Sequence, residues 1–317
     1  MPPYTMDTAP PRIVSLLPAA TEIVAALGLR PALVGRSHEC DEPADVRPLP
    51  ALTAPRIDPG ASSTEIHAAV GRALAARPGS STSLFALDID RLAALAPDVI
   101  LTQAACNVCA IAADDVAAAV QAVGHPVRIV PLSPATLSGV LADVLAVGAA
   151  TGTLPRAREV VARLRARAAS VSCRVQALRL PRPGVAVIEW LDPPMAAGNW
   201  VPELVRLAGG DDVLGKAGVH SHWITWDDVA AADPDVVILS PCGFTLDRVV
   251  AESAAPALRG RLDSLRAARS GRLFAVDGHH LLNRPGPRLL DSLEVLAEIL
   301  HPGRFSFAAT ERFARRL

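Results

Sequence analysis

Two stretches of this chain, Leu92–Gln103 "LAALAPDVILTQ" and Val229–Ser240 "VAAADPDVVILS", repeat one pattern. Each runs from a helix end through Pro-Asp into an unbroken apolar strand. A short strand that is apolar throughout is buried on both faces, and that is the condition of a parallel sheet covered by helices. Finding the pattern once in each half predicts two lobes of similar βα design. Each copy leads into a loop that carries cysteine, "AACNVCA" after the first and "PCGF" after the second.

The segments around these copies extend the alternation. Arg12–Pro18, Pro31–Ser37, Val99–Gln103 and Val127–Leu132 read as strands, with helices over Ala20–Leu27, Leu87–Ala96 and Asp114–Val123. Gly28 and Gly124 close two of those helices, as glycine commonly does. In the second half, strands are expected at Val185–Trp190, Val236–Ser240 and Arg272–Asp277, with helices at Val201–Ala208 and Pro287–Leu300. Between the halves, Ala135–Ala177 is a long helical stretch that Pro155 should interrupt. Ala61–Ser83 reads as an inserted helix bordered by loops, starting at the Ser-Ser-Thr-Glu sequence. The expected organisation is an N-terminal α/β lobe at 12–133, a linking helical region at 134–180, a C-terminal α/β lobe at 181–302 and a tail at 303–317.

Composition narrows the function classes. Formal net charge is −1 and aromatics are 3% of the chain, so neither bulk attraction to nucleic acid nor a base-stacking platform is expected. The first residues show no basic segment followed by an apolar one, and the expectation from this is a cytoplasmic protein with reduced thiols. No nucleophile–base pair and no G-x-S-x-G, Walker A, G-x-G-x-x-G or H-E-x-x-H motif is present, so no catalytic residue is assigned and a binding role is favoured over an enzyme.

The ordered set "RIVSLLPAATEIVAALGLRPALVGRSHECDEP", "LAALAPDVIL", "EWLDPPMAAGNWVPELVRLAGGDDVLG", "VAAADPDVVIL" and "HHLLNRPGPRLLDSLEVLAEIL" resembles the substrate-binding proteins of ABC importers for vitamin B12 and iron chelates. The likeness is closest to the B12-binding branch and covers about residues 12–300. It implies two Rossmann-like lobes joined by one long helix, with the ligand in a cleft between them. It also implies a cobalamin-like corrinoid or related metal chelate as ligand. An ABC permease would be a partner if the protein is exported.

Ligands of such sheets sit at the carboxyl ends of the strands. Cys40, Cys106, Cys109 and Cys242 are all expected on loops that follow strands, whereas Cys173 lies in the helical link. Four thiols of this kind suit zinc or an iron–sulfur cluster. The alternative function is therefore a cytosolic metal or iron–sulfur protein, acting as an enzyme or a sensor. His38 and the His279–His280 pair are expected at the rim, as ligands to a metal or to a polar group of the chelate. Trp190 and Trp200 flank "LDPPMAAGN" and offer flat apolar faces. Arg284 is expected to meet an anionic group or to cap the last helix.

Overall fold

The structure is a computed structural model that describes residues 10–76, 84–103 and 113–317. The chain forms two compact α/β units. One comprises the residues up to 61 with 68–134 and 138–163; the other comprises 62–67, 135–137 and 164–317. This is the expected α/β architecture.

The first unit contains strands β1 (Ile13–Ser15), β2 (Leu33–Arg36), β3 (Thr53–Pro55), β4 (Phe85–Leu87), β5 (Val99–Gln103) and β6 (Arg128–Leu132). Its helices are α1 (Pro18–Ala26), most of α2 (Ser63–Ala76), α3 (Ile89–Ala94), α4 (Ala113–Val123) and α5 (Leu137–Ala150). A parallel sheet runs in the order β2-β1-β5-β6, and β3 and β4 make a separate antiparallel pair. The chain goes from β1 outward to β2 and later returns to the other side of β1 with β5. The order therefore reverses between β1 and β5, where sheets of this kind open a crevice at their carboxyl ends. Val14, Leu16, Leu52, Leu92, Ile100 and Val116 pack into one core against the sheet. Pro18 begins α1 at a position where its missing N–H costs nothing.

Helix α6 (Leu154–Ala177) restarts after α5, with Pro155 in its first turn, and then runs unbroken. Its early residues Ala157, Val160 and Val161 are buried in the first unit, and Val171 and Val175 in the second. The α5–α6 corner depends on Gly148, where an added Cβ would lie 2.4 Å from the Ala157 methyl.

The second unit continues with β7 (Gly184–Leu191), β8 (Pro194–Ala196), α7 (Val201–Leu207), β9 (Asp211–Asp212), β10 (His222–Trp223), α8 (Trp226–Ala232) and β11 (Val236–Leu239). It ends with α9 (Leu246–Ser253), α10 (Pro256–Asp263), α11 (Arg266–Arg269), β12 (Leu273–Val276), α12 (Leu289–Leu300), α13 (Ala309–Phe313) and β13 (Ala314–Arg316). The main sheet order is β10-β8-β7-β11-β12-β13, with β9 also paired to β7. β7, β11 and β12 are parallel, whereas β8, β10 and β13 are antiparallel additions. Among the described residues no helix is long and apolar enough to cross a membrane.

The repeated Pro-Asp pattern is a structural repeat. The carboxylate of Asp98 accepts the N–H of Arg12, just before β1, at 2.7 Å, and the carboxylate of Asp235 accepts the N–H of Gly184, at the start of β7, at 2.7 Å. Both aspartates also return their own N–H to the carbonyl of that same residue. The residue before each Pro-Asp, Ala96 or Asp233, takes a positive φ of 42° or 41°. One polar clip thus sets the register of neighbouring parallel strands in each unit.

Candidate functional site

The carboxyl end of the first unit's sheet carries a hydroxyl network. The Thr21 hydroxyl on α1 lies 2.8 Å from the Ser15 hydroxyl at the end of β1 and 3.0 Å from the Cys40 sulfur. Thr53 donates to Ser37, and the backbone N–H of His38 donates to Thr53. The His38 Nδ1 lies 2.6 Å from the same hydroxyl, and its ring is tilted against Phe85. Burial lowers the His38 pKa, Glu39 opposes the shift and Arg36 adds to it, so the ring is held neutral. Cys40 is 1% exposed. Its surroundings are those of a packed thiol and not of an open metal ligand. Cys106 and Cys109 lie outside the described residues, and Cys242 is exposed in the second unit.

The carboxyl end of the second unit's sheet gathers more of the expected residues. Beyond β12 the chain reads Asp277-Gly-His-His. The Asp277 carboxylate accepts the backbone N–H groups of His279 (2.9 Å) and His280 (2.7 Å) and lies 3.0 Å from His280 Nδ1. Burial alone would raise the Asp277 pKa. The hydrogen bonds from the His280 ring and backbone, with both nearby imidazoles, outweigh it and hold the carboxyl below its usual range. An ionised carboxylate fixes Nδ1–H as the donor and puts the His280 lone pair on Nε2. His279 stands edge-on to His280, and Arg284 donates to its Nε2 at 3.2 Å. Gly278 between them admits no side chain, since a Cβ would sit 2.1 Å from the Pro241 carbonyl oxygen.

Phe244 ties this turn to Trp190. Its carbonyl accepts the N–H groups of Gly278 and His279, and its ring meets the Trp190 ring edge-on with centroids 5.5 Å apart. The Trp190 indole N–H donates to the Ser63 carbonyl at 3.2 Å. Trp190, His279, His280 and Arg284 are therefore brought to one edge. Trp200 is not: its ring is buried, and its N–H is spent on the Leu282 carbonyl at 2.8 Å. A buried ring with its one donor spent on Leu282 braces the His279–Arg284 turn.

Sequence reasoning missed two acids of this unit. Asp277 is one; its signal is Asp-Gly followed by histidine three residues on, a side-chain-to-backbone turn. The other is Asp212 on β9, a neighbour of Glu189 near the end of β7. Burial raises Glu189 to about 7, against a hydrogen bond from Ser221 and the charge of His220, while Asp212 pushes it further up. Burial raises Asp212 to about 6, partly offset by the N–H groups of Gly215 and Leu214. One Asp212 oxygen is buried with no hydrogen-bond partner.

A protein family described as periplasmic binding protein matches residues 13–278. No curated protein sequence matches the chain. Among solved structures, a periplasmic heme-binding protein from Pseudomonas aeruginosa is similar at 23% identity and TM-score 0.70, over 93% of this chain and 94% of that one. The periplasmic vitamin B12-binding protein BtuF of Vibrio cholerae is similar at 19% identity and TM-score 0.63, over 92% and 97%. CeuE of Helicobacter pylori, solved with Ni(II) bound, has 12% identity and TM-score 0.63, over 94% and 86%. The expected cytoplasmic location is corrected by these matches, because the family and several of the similar structures are periplasmic, which points outside the cytoplasm. That expectation rested on a pattern missing from the first residues, and a missing pattern weighs less than a match along most of the chain.

Proposed function

The chain belongs to the periplasmic binding protein family, and on that premise we propose that its solute is a metal chelate of the corrinoid or haem class, passed on to an ABC permease. Solute binding itself follows from the family. The observation that carries the ligand class is the Asp277–His280 pair at the carboxyl edge of the second unit. A carboxylate that holds Nδ1–H makes the imidazole a stronger, oriented donor through Nε2. An open axial position on a chelated metal accepts such a donor, and imidazole suits iron and cobalt better than thiolate-free oxygen sites would. Trp190, half-buried beside Phe244, offers an aromatic face against which a flat ring system can lie. Arg284 holds His279 against His280 and keeps the pair in place.

The cysteine-ligated zinc or iron–sulfur alternative is not carried forward. Cys40 lies in the core with its sulfur engaged by Thr21.

The test is a visible-absorbance titration of the purified protein with haemin and, separately, with aquacobalamin. One of the two should bind with a shifted band that is lost in His280→Ala and weakened about tenfold or more in Asp277→Asn. Neither chromophore binding would refute the ligand class. Binding with an unshifted band in wild type, and equal affinity in His280→Ala, would remove His280 as the donor.

A further inference from the structure

The second unit also has a cavity at the opposite, amino-terminal end of β12, which the chelate proposal leaves unused. Its volume is about 480 Å³, and Arg272, Phe274, Phe305 and Arg316 contribute to its walls. The C-terminal segment builds half of it: β13 pairs antiparallel with β12, placing Arg316 opposite Phe274. Arg272 immediately precedes β12, so the two arginines line the same space from adjacent chain segments.

Both cations are underused. The Nε of Arg272 is buried and has no hydrogen-bond partner, and its Nη2 reaches the Ile299 and Leu300 carbonyls only at 3.4 Å. Those two contacts are a loose cap on the end of α12. The Arg316 side chain forms no hydrogen bond or ion pair among the described residues and leans over the Phe274 ring at 5.8 Å. Two of the three acids nearby are committed elsewhere. Glu298 accepts from the Phe307 and Thr310 N–H groups and the Thr310 hydroxyl. Asp235, which faces Arg272 from the start of β11, is held by Arg266 and the Gly184 N–H. Glu311 is exposed and contributes to the cavity wall. Burial lowers the Arg272 pKa, the Asp235 carboxylate opposes the shift and the charge of Arg316 adds to it.

We propose that this cavity is a binding site for a small organic phosphate, its phosphoryl group bridging Arg272 and Arg316 and its apolar body lying against Phe274 and Phe305. Two guanidinium groups match a phosphate dianion in charge and in donor geometry. The volume exceeds what inorganic phosphate fills and falls in the range of small-molecule sites.

Isothermal titration at low ionic strength with inorganic phosphate and with phenyl phosphate tests this on the full chain. Both should bind saturably, phenyl phosphate more tightly, and the affinity should fall as salt rises. Arg316→Gln should weaken both about tenfold, the loss of one charge-assisted contact, while the melting temperature without anion stays unchanged because Arg316 is exposed. Arg272→Gln should weaken both as well, though it also loosens the α12 cap, so Arg316→Gln is the decisive variant. Absence of saturable binding by either probe, or wild-type affinity in Arg316→Gln, overturns the site. Equal affinity for the two probes overturns the apolar half of it. These outcomes do not depend on whether a metal chelate binds.

Discussion

Glu189 is buried in the second unit with Asp212 as its acidic neighbour and Ser221 donating to it. Its pKa rises from an ordinary 4.5 to about 7 in the fold. The folded chain then holds a proton that the unfolded chain has released at any pH between those values. Stability is therefore greatest below about 4.5, falls as pH rises through the window, and levels off above about 7. Asp212, moved from 3.8 to about 6, adds a slope of the same sign. Asp277 works oppositely, since its lowered pKa costs stability only as pH drops below the ordinary carboxyl range. We expect urea midpoints to decline from pH 5 to pH 8 in wild type. Glu189→Gln should flatten much of that decline and gain up to roughly 3 kcal/mol relative to wild type at pH 8. An unchanged slope in the variant would mean that Glu189 ionises freely. At this scale the sequence was legible where a residue's type announces its chemistry. His279, His280 and Arg284 follow a strand and are donors by nature. Asp277 and Asp212 were hidden because their importance lies in burial, which one-dimensional spacing does not display.

Among the elements, long apolar runs were readable and short pairings were not. The strand expected at Val99–Gln103 matches β5, and the expected Val236–Ser240 strand differs from β11 by one residue. β8, β9, β10 and β13 have two or three residues each, too few for a period of two to show. β13 is the sharper case, because it lies in the segment 303–317 that the sequence reads only as a tail. Tertiary pairing makes it a strand: Ala314, Arg315 and Arg316 align with Val276, Ala275 and Phe274, and the N–H of Leu317 reaches the Leu273 carbonyl. The arginines also discourage a second chain from adding to that edge. Deleting Ala314–Leu317 should cost roughly 3 kcal/mol, from a few net hydrogen bonds and the packing of Leu317 on the β11–β12 core. It should also promote self-association through the uncovered β12. Chemical denaturation and light scattering of the truncated chain check both effects, and wild-type stability with a monodisperse profile would show that the tail only rests on the sheet.

For the molecule as a whole, the repeated Pro-Asp clip made two similar units legible before any coordinates, and the division of α6 between them was not. The boundary falls between Arg163 and Leu164, inside one continuous helix, where neither composition nor hydropathy changes. Because α6 contributes buried residues to both cores, unfolding either core removes packing from the helix that the other also uses. That shared element should couple the two units into one transition. The chain reports on this unaided, since all four tryptophans, Trp190, Trp200, Trp223 and Trp226, lie in the second unit. Tryptophan fluorescence follows that unit alone, while far-ultraviolet circular dichroism follows both. In wild type the two signals should share a urea midpoint. Ala166→Pro, placed in the middle of α6, removes a helical hydrogen bond and crowds the preceding turn at a cost of about 3 kcal/mol. It should lower both midpoints and draw them apart, because the helix no longer transmits the loss of one core to the other. Coincident midpoints in the proline variant would mean that the coupling does not pass through α6, and separate midpoints already in wild type would mean that the units unfold independently despite the helix they share.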